Sequence, residues 1–130
     1  MDLETSQIVL YSILAGLILL YVRRMLRLRS LTNYSALEVA EKLKANSIVL
    51  LDVRTASERQ SKTIKGSIHV PLHEIRRRVD ELKKYGSKEI VCYCASGSRS
   101  ISAVATLQKL GLKAANMKGG IAEWNFSGLK

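Results

Sequence analysis

The sequence predicts an α/β domain with a mainly parallel central sheet flanked by helices, preceded by one transmembrane helix. Three observations predict it. Residues Ile8 to Val22 carry no charge and run directly into the basic segment RRMLRLR. Farther on, IVLLDV at Ile48–Val53 and EIVCY at Glu89–Tyr93 are short, nearly uninterrupted apolar runs, the pattern of strands buried on both faces. Segments with helical apolar spacing lie between and around them, and strands alternating with helices read as a parallel sheet. A length of 130 residues suits one domain plus a short appendage.

The first element is the charge-free run of fifteen residues. At 1.5 Å per residue it spans only about 22 Å against a hydrocarbon layer of roughly 30 Å, so it needs help at its ends. Met25, Leu26 and Leu28 prolong the apolar character while Arg23, Arg24, Arg27 and Arg29 snorkel to the interface, and Tyr11 and Tyr21 supply amphipathic anchoring. A core helix apolar on every face would need more protein around it than this chain has. A cleaved signal peptide fits poorly because the leading segment holds Asp2 and Glu4. The basic flank lies wholly on the C-terminal side, which places Met1 outside and the rest in the cytoplasm, at the inner membrane if the source is bacterial. The predicted division is residues 1–29 as helix and basic flank, with lipid contact through 8–29, and residues 30–130 as the domain.

The next elements follow from caps and periods. Ser35 and Glu38 form a capping box that opens a helix through ALEVAEKL, and Asn46 with Ser47 ends it. The Ile48–Val53 strand follows, then a short run at Ser67–Val70 closed by Pro71. In PLHEIRRRVDELKK, Leu72, Ile75, Val79 and Leu82 make an apolar stripe at helical spacing, so Arg76, Arg77 and Arg78 decorate the solvent face of one amphipathic helix. After the Glu89–Tyr93 strand, Ser100 to Leu110 reads as a helix stopped by Gly111. KAANM is a weak last strand, GGIAEW a turn into a short helix, and RSLTN a linker after the apolar segment.

Charge narrows the partners without choosing among them. The net charge is +10, and residues 30–130 keep 17 basic and nine acidic side chains, or +8. Beyond the apolar run there is one tryptophan and one phenylalanine, and no aromatic residues interleave the basic stretches, so RNA or DNA binding is disfavoured. Cys92 and Cys94 are too close for a disulfide framework and match no zinc-ligand spacing. The chain therefore reads as reduced and cytosol-facing.

Cys94 stands at the end of a predicted central strand, where open parallel sheets present their ligand sites, and the loop CASGSR leads into a helix. Free N–H groups of such a loop converge with the helix dipole on one concavity, which stabilises a thiolate. Gly97 permits a tightly curled backbone, Ala95, Ser96 and Ser98 keep the bowl narrow, and Arg99 adds a planar cationic fork. Taken alone, the loop fits a buried small cysteine in an ordinary turn equally well. Cys92 points to the same strand face as Cys94 and reads as inert core, since a Cys-x-Cys bond within a strand would strain the backbone. His69 and His73 lack metal or triad spacing and read as structural or exposed.

Four motifs in order carry a resemblance over residues 34–124: LLDVR at Leu50–Arg54 with Glu58 four residues on, IKGSIHVPL at Ile64–Leu72, CASGSRS from Cys94, and GGIAEW at Gly119–Trp124. The chain resembles the rhodanese family, of the single-domain sulfurtransferase type. That resemblance implies a rhodanese-like domain in which Cys94 carries a sulfane sulfur as a persulfide, from a small anionic donor such as thiosulfate to cyanide, a thiol or a protein acceptor. It implies substrate binding by Ala95, Ser96, Gly97, Ser98 and Arg99, and site support from Asp52, Arg54 and Glu58 as a buried ionic network and from Trp124 as a wall beside the loop. No metal or organic cofactor is implied.

Related phosphatases and arsenate reductases place five residues between Cys and Arg, whereas Ala95–Ser98 are four, the spacing associated with sulfur transfer. The chain departs from the family pattern at Arg59, Lys62 and Thr63, where an aromatic, Gly and His are usual. Arg59 and Lys62 read as solvated. The rival to an enzyme is a tethered module whose loop binds an anion or a partner with little turnover.

Overall fold

The computed structural model describes residues 2–29 and 31–130, without the side chains of 27–29, so the predicted snorkelling of Arg27 and Arg29 lies outside the described residues. Two units result, an N-terminal helix and a domain from Leu31 to Lys130. Helix α1 runs Leu3–Arg29 and carries the apolar run through to Leu26 with its large side chains exposed. At 1.5 Å per residue its 27 residues reach about 40 Å, long and apolar enough to cross a membrane.

The domain is a five-stranded, all-parallel sheet in the order β1-β5-β4-β2-β3, with β1 Asn33–Tyr34, β2 Ile48–Asp52, β3 Ile68–His69, β4 Glu89–Tyr93 and β5 Ala114–Met117. Its helices are α2 Ala36–Lys44, α3 Ala56–Ser61, α4 Val79–Lys83, α5 Ser98–Lys109 and α6 Gly120–Phe126. The strand period of two sorts side chains between two cores. Val49, Leu51, Ile90, Cys92 and Cys94 join Val104 and Leu107 of α5 on one face, while Leu50, Val91 and Tyr93 join Val39 of α2 and Trp124 of α6 on the other. The predicted capping box at Ser35 and Glu38 is present in both directions, Ser35 N–H to Glu38 Oε2 at 2.7 Å and Glu38 N–H to Ser35 Oγ at 3.2 Å.

Three expectations need correction. The stretch Leu72–Lys84 is not one helix: a 3-10 turn at Leu72–Glu74 is separated from α4 by turns. Its Leu72 N–H is tied to Val53 O at 3.0 Å, and Ile75 and Leu82 reach the core from separate turns, so tertiary attachment rather than helical period satisfies the apolar stripe. Arg76 and Arg77 are exposed, whereas Arg78 is partly buried and grips Glu81. The supposed linker is part of the domain: Leu31 is buried and Asn33 opens β1, with Asn116 N–H bonded to Thr32 O at 2.9 Å; Ser30 lies outside the described residues. Between β2 and β3 the chain also forms helix α3, opened by a second capping box of Thr55 and Glu58, where the sequence reading has no helix.

Candidate active site

Because β4 is central, its C-terminal end opens between β2 and β5, and Cys94 is the first residue beyond it. The loop then closes at Gly97, whose φ of 118° lies in the region that glycine adopts without strain, and α5 begins at Ser98. This geometry brings Gly97 N–H to Cys94 Sγ at 3.0 Å, with Ser100 Oγ at 3.4 Å. Burial pushes the Cys94 thiol up, but the Ser100 hydroxyl and the backbone N–H groups of Ser100, Gly97 and Ser96 outweigh it and hold the thiol below its ordinary value. The residue is 1% exposed.

The loop is braced from behind by α6. Ile121 N–H bonds Cys94 O at 2.9 Å and Ala122 N–H bonds Ala95 O at 3.2 Å, which turns those carbonyls away from the bowl. Gly120 makes the approach possible, since a Cβ there would stand 2.4 Å from Cys94 O and 2.7 Å from Ala95 C. Hence the GG of GGIAEW serves the loop itself. Trp124 does not wall the loop; it is buried in the α2-side core and borders a surface recess with Ala40 and Leu43.

The acidic and basic residues divide into two groups. Asp52, at the end of β2 and fully buried, accepts from Arg54 N at 2.9 Å, Nε at 3.0 Å and Nη2 at 2.9 Å, and from Tyr93 OH at 3.1 Å. Arg54 also donates to Lys62 O at 2.6 Å, fastening the end of α3. Arg59 is not simply solvated: it reaches Asp52 Oδ2 at 3.3 Å and Ser67 O at 2.8 Å, so a second cation shares the buried carboxylate. Lys62 is exposed. Glu58 does not join this buried cluster through its carboxylate. It takes both arms of Arg99 at 2.6 and 2.8 Å, and Arg99 holds the Glu58 carboxyl down at about 2, against burial and with help from Thr55. Arg99 thus stands at the rim with its charge largely compensated.

Two recesses flank the loop. One of about 410 Å3 is lined by Val53, Thr55, Pro71, Leu72, His73 and Arg99. The other, of about 320 Å3, is lined by Asn33, Ser96, Gly97, Ile101, Asn116, Lys118 and Gly119. His69 is half-buried, its Nε2 2.7 Å from Arg54 O, while His73 is exposed. Cys92 is fully buried, and burial with the neighbouring Cys94 pushes its thiol far up.

Residues 35–127 match the family model of the rhodanese-like domain. The chain belongs to the rhodanese-like domain family. This rhodanese-like chain is similar to a sulfurtransferase of Allochromatium vinosum, with 36% identity over 83 residues that make up 63% of this chain and 76% of the relative. It is also similar to the putative sulfurtransferase YtwF of Bacillus subtilis, with 32% identity over 91 residues, 69% of this chain and 86% of the relative. Among solved structures it matches the thiosulfate sulfurtransferase from Pseudomonas aeruginosa at a TM-score of 0.72 and 31% identity, over 78% of this chain and 20% of that one.

The rhodanese-like sequence pattern left some site residues unseen. Ser100 follows Arg99 directly but reads as an ordinary first-turn serine. Asn116 sits in a weak strand and Asn33 in an apparent linker; only the pairing of β1 with β5 brings them behind the loop.

Proposed function

We propose that the chain is a membrane-anchored sulfurtransferase whose Cys94 takes sulfane sulfur from a thiosulfate-type donor and passes it to cyanide, a thiol or a protein acceptor. The observation that carries this is the Gly97 N–H on Cys94 Sγ at 3.0 Å, at the end of a central strand and inside a four-residue loop. In the first half-reaction the Cys94 thiolate attacks the outer sulfur of thiosulfate; a new S–S bond forms, the old one breaks, and sulfite leaves with the bonding pair. The persulfide keeps the negative charge on its outer sulfur, where the loop N–H groups of Ala95, Ser96, Gly97 and Ser98 receive it. A nucleophilic acceptor then takes that sulfur and the electron pair returns to Cys94. Arg99 contributes at the rim, and Asp52, Arg54 and Glu58 hold the surrounding backbone. A low-turnover binding module is favoured by two features, the near-complete burial of Cys94 and the Glu58 carboxylate that occupies the Arg99 fork.

Residues 1–29 form the anchor and residues 30–130 the catalytic domain on the cytoplasmic side, a reading supported by a helix that is long and apolar enough to span and by the arginines at its C-terminal end.

Intact-mass spectrometry of the full chain in detergent tests the activity. Thiosulfate treatment adds the mass of one sulfur atom, cyanide removes it, and a chain that never gains the mass refutes the enzyme reading. Fractionation tests the anchor. The full chain stays with membranes through a high-salt wash, and release by salt refutes a spanning helix.

A further inference from the structure

The hydrogen bonds behind the loop have only one consistent direction. Leu31 O can only accept, so the atom 3.1 Å from it on Asn33 is Nδ2. Asn33 therefore turns Oδ1 toward Asn116, whose Nδ2 donates to it at 2.9 Å. Asn116 in turn presents Oδ1 to Ser100, and Ser100 Oγ donates to it at 2.6 Å. A backbone carbonyl on the edge of the sheet thus fixes the orientation of a relay that ends against the sulfur.

Ser100 has one hydroxyl proton and three acceptors in reach: Asn116 Oδ1 at 2.6 Å, Gly97 O at 3.1 Å and Cys94 Sγ at 3.4 Å. An uncharged sulfur is the weakest of the three acceptors, whereas a thiolate competes strongly because hydrogen bonds to charged groups are about twice as strong as neutral ones. Both Ser100 and Asn116 are buried, so water does not supply a substitute donor readily.

We propose that Ser100 is a further catalytic residue, its hydroxyl proton turning between Asn116 Oδ1 and Cys94 Sγ as the sulfur loses and gains charge, with Asn116 and Asn33 as positioning residues. This rests on the persulfide reading above. In the loaded state Sγ is divalent and uncharged, the charge lies on the outer sulfur, and the hydroxyl rests on Asn116. During discharge the bond between Sγ and the outer sulfur breaks, its electron pair returns to Sγ, and the hydroxyl turns to meet the leaving thiolate. The proton stays on Ser100 throughout. Only the direction of the O–H bond changes.

The charged and titratable groups of the surrounding elements are Cys92 on β4, Arg99 of the loop with Glu58 of α3, Asp52 of β2 with Arg54 and Arg59, and Lys118 after β5. None is altered by the variants that test the proposal, so a shift in the sulfur's titration is traceable to the relay.

The test uses the full chain in detergent, loaded with thiosulfate, freed of donor and discharged with cyanide in a single turnover, alongside the pH dependence of iodoacetamide alkylation. Ser100→Ala discharges about tenfold more slowly or worse, the loss of one hydrogen bond to a charged leaving group. Its alkylation midpoint moves up, while loading above that midpoint is unchanged or faster, because a less stabilised thiolate is the better nucleophile. Ser100→Thr, which keeps the hydroxyl, restores discharge. Asn116→Leu removes the competing acceptor and moves the midpoint down, opposite to Ser100→Ala. A merely structural serine would slow loading and discharge together and move both midpoints the same way. Ser100→Ala with unchanged midpoint and discharge, or midpoints moving together in the two variants, overturns the proposal. If the unsubstituted chain takes no sulfur from thiosulfate, the persulfide reading fails on its own, and the alkylation midpoints still decide whether Ser100 serves the thiolate.

Discussion

Cys92 and Cys94 stand two residues apart, on one face of one chain segment, and both are almost wholly buried. Burial pushes both thiols upward, yet only Cys94 ends below its ordinary value. The difference lies in the Ser100 hydroxyl, which reaches Cys94 alone, and in what happens to backbone N–H groups. Within β4 they are spent on the ladders to β2 and β5, so Cys92, in register with Leu51 and Asn116, has none to spare. One step past the strand the ladder stops, and the free N–H groups of the loop and the first turn of α5 turn inward on Cys94. The lowering of the Cys94 thiol is therefore a property of the strand end and of the turn that follows it, not of the cysteine itself.

The sharpest way to break the comparison is to remove each sulfur in turn. Cys94→Ser abolishes sulfur loading from thiosulfate, whereas Cys92→Ala loads like the unsubstituted chain. Equal loading by both variants in intact-mass spectra would show that the strand end has no special standing. Alkylation gives the next largest contrast. With iodoacetamide Cys94 reacts at pH values below about 8.5, the free-cysteine value, and Cys92 stays unmodified until the domain unfolds in denaturant. Peptide mapping that finds Cys92 modified in the folded domain would show that burial does not silence it.

A smaller effect comes from the brace. Gly120→Ala places a Cβ against the carbonyls of Cys94 and Ala95 and forces a φ of 61° on a residue with a side chain. The expected cost is about 1–3 kcal/mol in urea unfolding, together with slower loading. Undiminished loading would mean that α6 does not shape the bowl.

The smallest effect concerns Glu58, since its pair with Arg99 is about one-third exposed on both sides. Its carboxyl is held at about 2, below its ordinary 4.5, so the pair contributes fully above about pH 4.5 and loses its contribution as pH falls toward 2. Glu58→Gln removes that acid-side dependence and costs about 1 kcal/mol or less at neutral pH. A stability curve between pH 4.5 and 2 that is the same in both proteins would remove the pair from the account.

Much of this was determined by the sequence alone because its physical causes are local. The four consecutive apolar residues of IVLLD can be satisfied only by burial on both faces of a sheet, and Ser35 with Glu38 caps a helix within its own four residues. Cys94 before a small-residue loop and a helix is likewise visible along the chain. Tertiary structure decided the rest, where the partner is far away in sequence. The apolar stripe from Leu72 to Leu82 reads as one helix, but the attachment of Leu72 to Val53 breaks it into separate turns. Arg59 reads as a surface cation until the end of β2 brings Asp52 beside it. Ser100, Asn116 and Asn33 are far apart along the chain, and each is unremarkable by itself. A parallel sheet aligns strands through long crossovers, so residues of β1, β5 and the first turn of α5 become neighbours without leaving any local pattern that announces it.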